Sequence, residues 1–356
     1  MQESTLDSQN RVARSQHFGI ERHLHRGDLV GKVIDAHSHI GVAFREAAQI
    51  NFPYCSSAED LAYRQKANGV DFGVVSPISP ALYYDLPILI ETGELRPAAR
   101  PISRVPYERE NRLLLTDVYR FCPEHSGRFL PFISVDPGRL IHEQITSLEE
   151  LEQEFPIYGV KIHPLMCQSR ARALLDVGAP LLAFFVARNW PILFHASTDP
   201  TDPFSQASDI LDVAERHPEL RFCLAHCASA HRSSLERAAA LPNVYVDTAA
   251  LKIQVDLFRT EKAQGDQRSA EMLDVDYSDH VRFFQALVAM FPTTMLWASD
   301  APYHSYITRR LQGGGVYREF RLKGTYEEEV AAWRGLTAAQ QQQVNTNTLT
   351  FLFGAA

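Results

Sequence analysis

The chain has 356 residues, 45% of them hydrophobic, and a formal net charge of −8. That length suits one large domain or two ordinary ones, and that apolar share builds a substantial core, which excludes a disordered chain. The acidic balance excludes a polyanion such as nucleic acid as the main partner. Cys55, Cys122, Cys167, Cys223 and Cys227 contain no Cys-x-x-Cys pair, and an odd number is not a disulfide framework. No apolar run reaches transmembrane length, and Met1–Asn10 is polar with no signal-peptide core. The expectation is a soluble, cytoplasmic protein with reduced thiols and no membrane partner.

Residues 1–30 read as a polar N-terminal extension in which His17, His23 and His25 are surface or packing groups. The first strand is Val33-Ile-Asp-Ala-His-Ser-His-Ile-Gly41, where period-two alternation puts Asp35, His37 and His39 on one face. Ser56-Ser-Ala-Glu59 opens a helix as a capping box, and Asn68-Gly69 stops it. Phe72–Ile78 is the second strand. Pro80 to Glu110 holds Pro80, Pro87, Pro97, Pro101 and Pro106 with Arg96, Arg100, Arg104 and Arg109, a long loop that is a lid or a structural insertion.

Asn111–Cys122 reads as a helix, Arg128–Val135 as the third strand, Ser147–Phe155 as an acidic helix and Tyr158–Pro164 as the fourth strand. The helix Pro180–Asn189 leads to the fifth strand, Pro191–Ser197, and the helix Ser208–Arg216 to the sixth, Arg221–Cys227. Ser233–Leu241 is helical, Val244–Ala249 the seventh strand, and Leu251–Asp276 a polar loop insertion. The helix Ser278–Phe291 precedes the eighth strand, Met295–Ala301, and Thr337-Ala-Ala-Gln340 caps a last helix to Phe353. Short apolar strands alternating with helices are parallel and buried on both faces. Eight of them predict an α/β chain folded as a (β/α)8 TIM barrel, one domain over 31–356 with loop insertions near 80–110, 251–276 and 303–330. A doubly wound open sheet lacks its Gly-x-Gly-x-x-Gly support here.

In such a barrel the C-terminal strand ends face the active site. His37, His39, His163, His195 and His226 fall near those ends, and Asp300 ends the eighth strand. Imidazole and carboxylate ligands without thiolate suit a divalent metal: zinc first, with manganese, iron or cobalt as alternatives. Such an ion acidifies bound water, and a neighbouring carboxylate or His moves protons. Cys223 and Cys227 read as small buried hydrophobes, and His231 as a packing or capping group. Tyr303 and His304 could touch substrate; Asp247 is structural or substrate-facing, and Lys161 shares a face with His163.

These motifs, Asp35-Ala-His-Ser-His39, Gly159-Val-Lys-Ile-His163, Phe194-His-Ala196, Leu224-Ala-His-Cys227 and Trp297-Ala-Ser-Asp300, resemble the metal-dependent amidohydrolase superfamily. They resemble in particular its amidohydrolase-related branch, which includes aminocarboxymuconate-semialdehyde and resorcylate decarboxylases. The resemblance covers the chain from about residue 31 onward. It implies one metal held by His37, His39, His195 and Asp300, with His226 a catalytic or neighbouring imidazole and Asp300 doubling as the base. Lys161, His163 and His304 are the substrate-binding candidates. Some members of the wider superfamily carry a carboxylated lysine where Lys161 lies; the expectation here is an unmodified side chain.

The expected activity is hydrolysis, with metal-activated water attacking an amide, lactone or ester carbon of a small molecule. The alternatives are a metal-dependent non-oxidative decarboxylase of a carboxylated aromatic or enoate, which an arginine clamp would favour, and a non-catalytic metal-binding barrel. A small-molecule substrate is the expected partner, with a homo-oligomer left open.

Overall fold

The computed structural model describes residues 23–42, 55–78, 82–311 and 317–355. A single nine-stranded sheet runs β2-β1-β3-β4-β5-β6-β7-β8-β9. Its strands are β1 (Ile34–Val42), β2 (Cys55–Ser56), β3 (Phe72–Pro77), β4 (Phe129–Ser134) and β5 (Gly159–Ile162), then β6 (Ile192–Phe194), β7 (Phe222–Leu224), β8 (Val244–Asp247) and β9 (Met295–Leu296). Only the short β1–β2 pairing is antiparallel; the other neighbours are parallel. The residues that follow β9 return to β1. Ala36 N–H donates to Trp297 O at 3.1 Å, Asp300 N–H to His37 O at 2.8 Å and His39 N–H to Ala301 O at 2.7 Å. The curled parallel sheet with helices between its strands is of the TIM-barrel type.

Alternation along the strands sorts their side chains into two cores. Ile34, Val74, Leu130, Phe132, Leu193, Cys223, Tyr245 and Leu296 join one cluster with Leu24, Leu29 and Phe351. Phe129, Ile133, Val160, Ile162, Ile192, Phe194, Phe222, Leu224, Val244, Val246 and Met295 belong to the other, with the helices. Period-two partition with both faces buried is what an enclosed parallel sheet requires. Gly159 belongs to this packing, since a Cβ there would lie 2.5 Å from the Phe132 ring. The first cluster also contains Leu29 of the short helix Arg26–Leu29 and Leu349, Phe351 and Leu352 of the C-terminal helix Ala338–Phe353; the Phe351 ring lies 6.2 Å from Phe132 and 5.7 Å from Tyr245. Lys161, Asp247 and His195 continue the parity of the first cluster towards the strands' C-terminal ends. This face of the curled sheet is therefore apolar where it meets Phe351 and titratable at the strands' C-terminal ends.

Several expectations need correction. The fold begins before residue 31, because Leu24 and Leu29 are buried; His23 and His25 are exposed as expected, while His17 lies outside the described residues. Residues 251–276 are not one loop: the helices Leu251–Lys262 and Gln267–Glu271 take up most of them. The stretch 303–330 carries an antiparallel pair, β10 (Ser305–Leu311) with β11 (Tyr317–Lys323), and the start of the helix Tyr326–Arg334. That helix opens on a Thr325–Glu328 capping box. Within 80–110 lies the helix Leu86–Thr92, and at its end Glu108 starts another. The cap of the helix Ala58–Ala67 is Ser57, whose Oγ accepts from Asp60 N–H at 3.1 Å, one residue later than the motif suggested. Among the described residues no helix is long and apolar enough to cross a membrane.

Candidate metal centre

The titratable cluster is built from backbone upward. A bulge between Asp35 and Ser38 interrupts the β1 alternation. Asp35 therefore does not join His37 and His39. Its carboxylate accepts from Ser299 N–H at 2.9 Å, Ser299 Oγ at 2.6 Å and Tyr326 OH at 3.1 Å. This ties β1 to the turn that presents Asp300. Nε2 of His37 lies 3.1 Å from Nε2 of His39, and Oδ1 of Asp300 lies 3.4 and 3.2 Å from the two nitrogens. All three residues are buried.

Their outer partners fix which ring nitrogen carries the proton. His37 Nδ1 donates to Asp247 Oδ2 at 3.0 Å. His39 Nδ1 faces Ser76 Oγ at 3.1 Å and the acceptor-only Pro77 O at 3.4 Å. A neutral imidazole protonated at Nδ1 presents a lone pair at Nε2. Two lone pairs and a carboxylate oxygen then face one another at a little over 3 Å. Lys161 Nζ offers a donor to His37 Nε2, and two imidazoles with a carboxylate are also donor types that hold a divalent metal. The residues present fit the metal.

A second imidazole chain stands beside this trio. His226 Nδ1 donates to Ala249 O at 3.0 Å, so its Nε2 accepts from His195 Nδ1 at 2.9 Å. That leaves His195 with a lone pair at Nε2, the atom a ligand would use. His195 is nevertheless outside the compact trio, whose ligand atoms all lie within 4.8 Å of one another. His163 stacks on His195 with centroids 3.8 Å apart and planes 13° apart. Lys161 Nζ lies 2.8 Å from His37 Nε2, at the heart of the cluster. His304 is buried, with neither ring nitrogen hydrogen-bonded. Cys223 and Cys227 are buried and outside the trio, and His231 binds Ser234 Oγ at 2.8 Å.

One local feature had no sequence signal. His226, Cys227, Ala228, Ser229 and Ala230 all have positive φ, 59°, 53°, 45°, 57° and 54°, without a glycine among them. A left-handed residue costs ~1–2 kcal/mol, so the turn costs on the order of 5–10 kcal/mol. Such runs persist where surroundings over-determine them. Here Asp247 Oδ1 accepts His226 N–H at 3.1 Å, and Leu273 N–H donates to Ala230 O at 2.9 Å. Asp300 itself has φ 58°.

Burial first, then the charges of Lys161 and His39, holds His37 well below its ordinary pKa. Burial and the neighbouring His163 and His226 do the same to His195. Burial pushes Asp300 up, but His37, the hydrogen bond with His39 and His226 outweigh it and hold the carboxyl low. Burial brings Lys161 down to about 8 against the pull of Asp300 and Asp247, and His304 down to about 4. These shifts favour neutral His37 and His195 and an ionised Asp300, the forms that bind metal.

A family profile described as "Amidohydrolase" (Amidohydro_2) matches residues 34–341. The chain belongs to the amidohydrolase family and is an enzyme of that superfamily. No curated protein matches it. Among solved structures it is similar to a probable 2-pyrone-4,6-dicarboxylic acid hydrolase from Acinetobacter baumannii with citric acid bound. That match has 12% identity and TM-score 0.51, and covers 91% of this chain and 100% of the other. An amidohydrolase from Burkholderia multivorans with bound HEPES gives 16%, TM-score 0.53 and coverage of 90% and 99%. A 5-carboxyvanillate decarboxylase from Novosphingobium aromaticivorans, with bound manganese and 3-methoxy-4-hydroxy-5-nitrobenzoic acid, gives 13%, TM-score 0.52 and coverage of 88% and 94%. At these identities the likeness is one of fold.

Proposed function

We propose that the protein is a metal-dependent hydrolase on a closed (β/α)8 barrel, cleaving an amide, lactone or ester bond of a small molecule. The observation that carries the reading is the convergence of His37 Nε2, His39 Nε2 and Asp300 Oδ1 with their lone pairs turned inward. One divalent ion per chain, zinc by the chemistry of two imidazoles and a carboxylate, would be held there with His195 as a further ligand. When bound, the ion supplies a Lewis acid that polarises a carbonyl oxygen and acidifies water. Asp300 takes the proton of the attacking water on its carboxylate. His226 holds or returns a proton at Nε2, the ring atom that faces His195 Nδ1 rather than Ala249 O. Lys161, unmodified, anchors an anionic group of the substrate, and His163 and His304 line its pocket.

A decarboxylase of a carboxylated aromatic or enoate would share this constellation, and the decarboxylase among the similar folds keeps that reaction as the rival. Its arginine clamp is not supplied by Arg96, Arg100, Arg104 or Arg109. All four are exposed; Arg96 pairs with Glu94, and Arg104 with Glu108 and Glu150. Family membership as an enzyme removes the non-catalytic barrel. The substrate is a small molecule in this reading, with no role for nucleic acid or membrane, a cytoplasmic setting and a homo-oligomer left open. Turnover in oxygen-18 water tests it: label should enter the product. Carbon dioxide release without label, or less than about a tenth of an equivalent of metal after reconstitution, overturns it.

A further inference from the structure

Asp247 is the carboxylate that the proposed reaction does not use, yet it touches both halves of the site. It is fully buried at the end of β8. Oδ2 accepts from His37 Nδ1 at 3.0 Å and lies 3.7 Å from Cys223 Sγ. Oδ1 accepts from His226 N–H at 3.1 Å and Ala249 N–H at 2.9 Å. His226 N–H is the first amide of the left-handed turn, and Ala249 O is the acceptor of His226 Nδ1.

We infer that Asp247 is a positioning residue that sets the metal-binding trio and the His226 imidazole together. One oxygen keeps His37 protonated at Nδ1, which aims its Nε2 lone pair at His39 and Asp300. The other pins the turn and the carbonyl that orient the His226 ring. Four donors converge on this carboxylate, and no neutral side chain of its shape accepts from all of them. An asparagine keeps one oxygen and must point an amide N–H at a backbone N–H or at His37. The inference deepens the proposed hydrolase reading and rests on it for the meaning of the trio.

The first test uses the wild-type chain without metal. Long-range proton–nitrogen-15 spectra of histidine-labelled protein should show both His37 and His226 as Nδ1–H tautomers. Finding His37 as the Nε2–H tautomer overturns the inference, whether or not the protein turns over any substrate. The second test is Asp247→Asn, scored by zinc affinity in a chelator competition. Loss of an outer partner of a metal-binding histidine costs 10–100-fold in affinity, and that fall is expected here with displaced His226 ring signals. Asp209→Asn is the control. Asp209 is equally buried and paired with Arg170 and Arg172, so its loss should lower stability and leave zinc affinity and both tautomers unchanged. A folded Asp247→Asn protein with wild-type zinc affinity overturns the inference, as does an equal fall in affinity in Asp209→Asn. Failure to bind zinc in the wild-type chain counts against the metal reading alone, because the tautomers are read without metal.

Discussion

Replacing Glu110 with glutamine should remove one component of the pH dependence of stability that the wild-type chain shows between about pH 4.5 and 7. Glu110 is buried in the helix that follows the proline-rich segment, and its Oε1 accepts Leu82 N–H at 3.0 Å, fastening the start of that segment. Burial outweighs this bond and pushes the carboxyl up to about 7 from an ordinary 4.5. Between those values the folded chain holds a proton that the unfolded chain has released. Stability is therefore highest below about pH 4.5, falls as pH rises, and levels off above about pH 7. At about 1.4 kcal/mol per pH unit, the full interval is worth roughly 3 kcal/mol. Glutamine keeps an acceptor for Leu82 and has no proton to lose. Glu110→Gln should thus gain roughly 3 kcal/mol over wild type at pH 8 and almost nothing at pH 4. For a chain of 356 residues that gain corresponds to about 4 °C in melting temperature. Thermal unfolding of both proteins at the two pH values is the assay. Parallel behaviour of the two proteins would refute the reasoning, since the raised carboxyl is its sole source.

Elemental analysis should find about one divalent ion per wild-type chain, and almost none in His39→Ala. His226→Ala should keep its metal and lose turnover; metal loss as complete as in His39→Ala would make His226 a ligand instead. Lys161→Ala should weaken substrate binding or stability more than metal content, and density for a carboxylated Lys161 between two metals would contradict that. Gly159→Ala should destabilise by about 1–3 kcal/mol through overpacking against Phe132, and Phe132→Leu in the same chain should restore part of the loss, as read by urea unfolding.

The strands were legible because each is an apolar run with both faces buried, which is why β3, β4 and β5 fall within a residue or two of their expected ends. His37, His39 and Asp300 were legible because strand ends in such a barrel point one way. The bulge after Asp35 was not, since no glycine or proline marks it, and it took Asp35 away from the face that alternation assigned. The left-handed turn at His226–Ala230 was hidden for the same reason: no glycine carries it, and tertiary hydrogen bonds impose it. Residues 251–276 look polar because the helix Leu251–Lys262 buries only Leu251, Ile253, Val255 and Phe258. The role of Asp247 depends on a contact between β8 and β1, which no local pattern encodes.

The bonds that join β1 to the turn after β9 also set when the site can exist. Asp35 and Ser299 are 264 residues apart in the chain, and His37 O accepts from Asp300 N–H. During synthesis at ~5–20 residues per second, the two histidines wait roughly 15–50 s for their carboxylate. Contacts of such long sequence separation form late because loop closure precedes any reward. The trio is therefore complete only once β1 meets the turn after β9, and a nascent chain that ends before Asp300 lacks its carboxylate.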